Sequence, residues 1–322
     1  LAGFTADGEL VPAAAESWDI SEDGLAYTFH LRDGLRWSNG DALTAEHFVA
    51  GMRRLVTPAT AAFYAQMIVD IENAGSIIAG DAAPDALGVE AVDDRTLVLR
   101  LSRPTPYLLS LLTHPSTFPV HPGSIAEHGD AFARPGKLVS NGAYSLDAWV
   151  PGSVVALKRN EYYWNNGATA VDAVNYHVIV QNNAELNRYR AGELHTTSTV
   201  PPDAFAQVRE EYGDELRVAP YLGVYYYGYN MTKPPLKDNA ALRQALSMAI
   251  DREQWAEKIR GRGEAPAYSW VPPGVNNYEP TKVSFAALGK EDREKLARLR
   301  YKEAGYGDDN PLQIEVRYNT ND

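Results

Sequence analysis

Three histidines, His114, His121 and His128, recur every seventh residue, a spacing that on a helix would line up imidazoles as metal ligands. Pro115, Pro119 and Pro122 interrupt that stretch, and no continuous helix accommodates them. The stripe therefore cannot form, and loop histidines are the reading that remains. The acidic pairs Asp93-Asp94 and Glu210-Glu211 have the groups of a general acid and base, yet neighbouring carboxylates in a chain with 42 acidic residues read as a solvated face. Gly261-Arg262-Gly263 comes nearest to a phosphate-cradling loop, but it follows a helical pattern where the dinucleotide motif follows a strand. No G-x-S-x-G, H-E-x-x-H, Walker A or G-x-G-x-x-G occurs. Cysteine is absent, which removes thiolate nucleophiles, thiolate metal sites and disulfides together. The chemistry expected is binding without a cofactor or metal, since nothing supports an enzyme.

The most unusual stretch is aromatic: Tyr225-Tyr226-Tyr227-Gly228-Tyr229-Asn230. Strand alternation would put Tyr225, Tyr227 and Tyr229 on one face and Tyr226 with Asn230 on the other. Tyrosine offers a flat apolar body and a polar tip at low entropy cost, which suits a cleft for varied ligands. A buried strand whose hydroxyls bond internally fits the same residues, and both readings stand at this level.

Several elements must carry these residues. Tyr27–Leu31 and Thr96–Leu101 alternate like half-buried strands, punctuated by the turn pairs Asp33-Gly34 and Asn39-Gly40. Between them Thr44 caps a predicted helix with Phe48, Met52 and Leu55 on one face, ending before Pro58. Residues 103–152 are rich in Pro and Gly and read as loops around short helices. Further strands are expected at Val154–Leu157, Val174–Val180, Leu216–Asn230 and Leu312–Tyr318. Helices are expected from Asn239, with Leu242, Leu246, Ala249 and Ile250, from Asp251, with Trp255 and Ile259 inward, and over Glu291–Ala304, ending at Gly305.

Composition bounds the classes. Hydrophobic residues at 45% and charged residues at 22% over 322 residues are ordinary for a folded chain long enough for two domains. No stretch approaches the roughly 18 uninterrupted apolar residues of a membrane-spanning helix. Thirty basic against 42 acidic residues give a net charge of −12, which argues against nucleic acid as a partner. The chain opens at Leu1 without an initiator Met or a signal-peptide core, so 322 is read as the length of a segment cut at both ends.

A family resemblance runs through most of the chain. Pro12–Trp18, Tyr27–Asp41 and Thr44–Phe48 are similar to the signature of extracytoplasmic solute-binding proteins of the peptide/opine/nickel ABC transporters. Val139–Tyr144, Arg159–Trp164 and Arg243–Arg252 resemble later landmarks in the same order. Asn187–Leu194 and Ala265–Ser269 look closest to the oligopeptide- and murein-peptide-binding members.

The resemblance implies an α/β, periplasmic-binding-protein type II-like two-lobe fold with an extra domain, here truncated at both ends. Its implied divisions are 1–20 with 122–254 for the first lobe, 21–121 for the extra domain, and 255–322 for the start of the second lobe. It further implies a monomeric receptor, periplasmic or lipid-anchored outside the membrane, that takes short peptides through main-chain hydrogen bonds and passes them to a membrane permease. By motif position Tyr64, Tyr229, Asn230, Met231 and Tyr268 are the implied ligand contacts, with packing roles open for Tyr64 and Tyr268. Trp18, Phe29, Trp37 and Phe48 are expected in the core. Murein peptide, dipeptide, opine or a nickel chelate are alternative ligands, and a hydrolase or a chaperone-like surface protein would be a rival of another class.

Overall fold

Where apolar residues alternate, the chain builds sheets, and where they recur at helical spacing it covers them. A computed structural model describes residues 1–275 and 277–318. The chain divides into two units, Leu1–Val178 and Ile179–Asp322, each considered by itself.

The first unit opens with a hairpin of β1 (Ala2–Phe4) and β2 (Leu10–Pro12). A four-stranded antiparallel sheet follows, made of β3 (Ala15–Ile20), β4 (Ala26–Leu31), β5 (Val89–Ala91) and β6 (Thr96–Arg100), in the order β3-β4-β6-β5. Alternation buries Tyr27, Phe29 and Leu31 of β4 beside Leu97 and Leu99 of β6, with Phe29 opposite Leu97 in the register. Helix α1 (Ala45–Val56) covers this face with Phe48, Met52 and Leu55, as its spacing predicts, and stops at Thr57 before Pro58. Phe29, Trp37 and Phe48 are core residues, and Trp18 packs half-buried at its edge. Gly51 faces a close backbone approach: a Cβ there would lie 2.9 Å from the Phe118 carbonyl oxygen.

Helices α2 (Ala74–Ala79), α3 (Leu108–Leu111) and α4 (Pro122–His128) lead to an antiparallel meander of β7 (Tyr144–Val150), β8 (Val154–Arg159) and β9 (Ala173–His177). β7 lies inside the stretch read as loops. Its neighbouring Pro and Gly residues masked a strand that only pairing with β8 creates.

The second unit carries α5 (Asn182–Arg190), α6 (Phe205–Glu211), α7 (Ala240–Ala249), α8 (Arg252–Gln254) and α9 (Lys290–Glu303). α8 widens into a π-helical turn over Trp255–Arg260. Asn239 caps α7 by accepting from Leu242 N–H at 3.0 Å, and Gly305 follows α9 at φ 92°. α7 packs on α9, where Met248, Phe285 and Ala297 form a small core.

Three expectations fail here. The buried face of α7 is Leu242, Ala245 and Met248, so Ala249 and Ile250 are exposed. Ala256 takes the buried position of the turn after α8 while Ile259 faces solvent. Leu216–Asn230 and Leu312–Tyr318 are not strands, because alternation supplies the pattern but no partner strand joins them among the described residues. Among the described residues, no helix is long and apolar enough to cross a membrane.

Candidate ligand-binding surface

The tyrosine run in the second unit keeps its alternation without a ladder. Tyr225 stacks on Trp255 with ring centroids 5.8 Å apart and meets Tyr227 edge-on at 5.9 Å. Tyr226 turns the other way and contacts Trp270 at 4.4 Å. Tyr226 and Trp270 remain 57% and 68% exposed, so the pair presents aromatic surface instead of burying it. The reading of this run as a buried strand is thereby overturned at Tyr225, Tyr226 and Tyr227.

Tyr229 behaves differently, in keeping with the open alternative. It is half-buried, and its hydroxyl donates to the Arg243 carbonyl oxygen on α7 at 3.1 Å. Desolvation raises its pKa above the ordinary tyrosine value. Asn230 next to it is exposed, and its Oδ1 accepts from Thr232 N–H at 3.0 Å and Thr232 Oγ1 at 2.7 Å, fixing a local turn. Met231 is half exposed.

Tyr268 is committed to a polar network. Its hydroxyl donates to Glu253 and accepts from Arg293 Nη1 at 2.6 Å, while Arg293 Nη2 reaches Glu253 Oε2 at 2.9 Å. The Arg252 guanidinium lies 5.2 Å from the Tyr268 ring centroid, and Phe285 packs edge-on at 6.3 Å. Burial, then Glu253, raises the Tyr268 pKa, so the phenol stays a donor.

Tyr64 belongs to the first unit, where it precedes the short helical turn Ala65–Ile68. Its ring lies 4.8 Å from that of His114 and is 56% exposed, beside the fully exposed Phe63.

The groups that looked catalytic in the sequence have structural partners. His114 and His121 accept backbone N–H bonds from Ser116 at 3.2 Å and Ser124 at 3.0 Å, as caps of short helical turns. Glu211 pairs with Arg190 at 2.8 Å, and Asp93 accepts from Arg95 N–H at 2.8 Å. Gly261 ends the π-helical turn in the left-handed region, and Arg262 bonds Glu264 at 2.9 Å. Burial would raise the Glu264 pKa, but backbone N–H bonds and then the Arg262 side chain outweigh it and lower the pKa to about 2. Among the described residues, no cluster of three His, Cys, Asp or Glu side chains is placed to hold a metal.

Residues 9–322 match the model of the bacterial extracellular solute-binding proteins, family 5 Middle. The chain belongs to that family. Its members are solute-binding receptors, not enzymes. The periplasmic oligopeptide-binding protein OppA of Escherichia coli is 40% identical over 319 residues, which cover 98% of this chain and 58% of that protein. The "Probable deoxycholate-binding periplasmic protein YgiS" of Escherichia coli is 38% identical over 324 residues, covering all of this chain and 60% of that one. The solved structure of the Escherichia coli murein tripeptide binding protein MppA superimposes with a TM-score of 0.91 at 35% identity, over 97% of this chain and 61% of that one. The chain thus spans about three fifths of the length of these relatives. Its α/β fold is that of family 5 solute-binding proteins, as the sequence landmarks imply, and the family is extracytoplasmic.

Against this family background, the sequence reading missed Trp255 and Trp270 as the ring partners of the tyrosine run. Trp270 directly follows the landmark Ala265–Ser269, so its position is visible in the sequence although its contact is not.

Proposed function

We propose that the protein is the receptor of an ABC importer that captures short oligopeptides in a cleft between two lobes and delivers them to a membrane permease. The observation that carries this reading is the 40% identity with OppA across 98% of the chain. Exposed aromatic side chains of the second unit support it, because flat rings with polar tips accept varied side chains while the peptide backbone bonds as an added strand would. Tyr64, Tyr229, Asn230 and Met231 remain the proposed contacts, joined by Tyr226 and Trp270, and Tyr268 offers only its ring edge because its hydroxyl is engaged. The proposal includes the first-lobe, extra-domain and second-lobe divisions given above, a monomeric state, and a periplasmic or lipid-anchored location.

The test is calorimetric titration of the full-length protein with tri- to pentapeptides, a murein tripeptide and deoxycholate. Binding of the ordinary peptides is the expected result. Preference for the murein tripeptide would favour the reading that the likeness to MppA supports. A protein that ignores every peptide and binds deoxycholate overturns the proposal, and turnover of a peptide library would point to a hydrolase on the same scaffold.

A further inference from the structure

In the first unit, Trp37 joins two histidines that the ligand-binding surface does not use. Its buried indole donates Nε1–H to His47 Nδ1 at 3.1 Å, and Thr44 N–H donates to the same nitrogen at 3.1 Å. Both partners are donors only, so His47 Nδ1 must carry a lone pair. His121 is constrained in the same way. Ser124 N–H donates to its Nδ1 at 3.0 Å as the cap of α4, which leaves Nε2–H to donate to Asp41 Oδ2 at 3.0 Å. The Trp37 ring centroid lies 5.6 Å from that of His47 and 5.3 Å from that of His121, and the two imidazoles are 6.1 Å apart.

A proton on Nδ1 of either ring would turn an accepted N–H bond into a clash of two donors. It would also remove the hydrogen bond at the start of α1 or α4, and one imidazolium would repel a second at this distance. The cluster holds the turn Trp37–Asp41. Trp37 N–H donates to Asp41 O at 2.9 Å, Ser38 N–H to Ser140 O at 2.8 Å, and Ser140 N–H to Ser38 Oγ at 3.1 Å. One turn therefore ties α1 and α4 to the segment that enters β7.

Asp41 on the turn and Glu46 on α1 favour a proton on His47, and Arg36, bonded to Gly40 O at 2.8 Å, is a cation beside the turn. The titratable Tyr162 ring lies against Gly40, and on α4 Glu127 and His128 pair with each other at 3.8 Å. Burial first, then His121, outweighs the two carboxylates and depresses the proton affinity of His47.

We propose that Trp37, His47 and His121 form an acid-sensitive latch, closed while both imidazoles are neutral and opened by protonation. Opening frees the Trp37–Asp41 turn and frays the first turns of α1 and α4. Because the His47 pKa lies below the ordinary 6.5, the open state takes the proton first. The stabilisation is full above that value and is lost as pH falls below it.

Thermal unfolding of the chain at about pH 7.5 and about pH 5.5 brackets the range in which histidine changes charge. The paired substitution His47→Gln with His121→Asn keeps an acceptor at both helix starts and removes both titrating groups. The wild-type unfolding temperature should fall several degrees further on acidification than that of the double variant, with the two alike at the higher pH. Equal falls would overturn the latch. Proton NMR of the wild type decides the matter even if the variant does not fold. The His47 ring should titrate below 6.5, with the Trp37 Nε1–H signal moving in step. A midpoint above that value, or an indole signal that stays still, refutes the proposal.

Discussion

The network of Glu253, Tyr268 and Arg293 should respond asymmetrically to the loss of its two charges, because they are buried to different degrees. The Arg293 side chain is 3% exposed, while that of Glu253 is 43% exposed. Glu253→Gln removes the negative charge 2.9 Å from the buried guanidinium and leaves one amide oxygen to serve two donors, the Tyr268 hydroxyl and Arg293 Nη2. Breaking a fully buried pair costs about 3–5 kcal/mol, and solvent access at Glu253 reduces this to about 2 kcal/mol. Arg293→Met removes the charge but fills the space of its aliphatic stem, and the orphaned Glu253 can turn to water, so its cost should be about 1 kcal/mol or less. Amide hydrogen exchange in α7 and α9 reads the difference locally, and 2 kcal/mol corresponds to about thirtyfold faster exchange. The Tyr268 hydroxyl first, then Arg293, depresses the Glu253 pKa below the ordinary 4.5. Its contribution is therefore present above that value and fades as pH falls through the folded value, so wild type and Glu253→Gln should converge in acid. If Arg293→Met accelerates exchange as much as Glu253→Gln does, burial is not what decides the cost.

Other expectations follow from single contacts. Asn239→Ala removes the cap of α7 together with the 3.3 Å bond from Asn239 Nδ2 to Ala304 O, and should cost about 1–2 kcal/mol in urea unfolding. Gly51→Ala drives a methyl group to 2.9 Å from the Phe118 carbonyl oxygen, which is backbone and cannot swing away, so thermal unfolding should show a loss of about 1–3 kcal/mol. Tyr226→Ala with Trp270→Ala, made in the full-length protein, should weaken peptide binding by about tenfold in calorimetry. Its unfolding midpoint should barely move, because both rings face solvent.

The first unit was legible wherever a local pattern and its burial agree. Tyr27, Phe29 and Leu31 alternate in sequence and alternate in burial, and Phe48, Met52 and Leu55 recur at helical spacing and face the same core. β7 and the two supposed strands of the second unit show the limit of such patterns. A strand is a property of a pair, and the partner of Tyr144–Val150 was an element that local signals could not assign to it. On α7 the stripe was misplaced because Leu246 and Ile250 were apolar enough to attract the pattern. The neighbour α9 selects the face of Ala245 and Met248, the latter packing with Phe285 and Ala297.

For the candidate surface the sequence singles out tyrosine but does not separate the roles of its copies. Tyr226, Tyr229 and Tyr268 have the same side chain, and their partners separate them: an exposed indole, a backbone carbonyl, and a carboxylate with a guanidinium. A hydroxyl committed to a half-buried charge pair stabilises the unit, whereas a ring stacked in solvent keeps its apolar face available to a ligand. The same division explains the histidines. Seven-residue spacing suggested metal, yet His114 and His121 spend their ring nitrogens on backbone N–H groups where turns begin. An imidazole used this way presents a ring lone pair to a backbone N–H, so what looked like a ligand stripe is, at His114 and His121, a pair of helix-start caps.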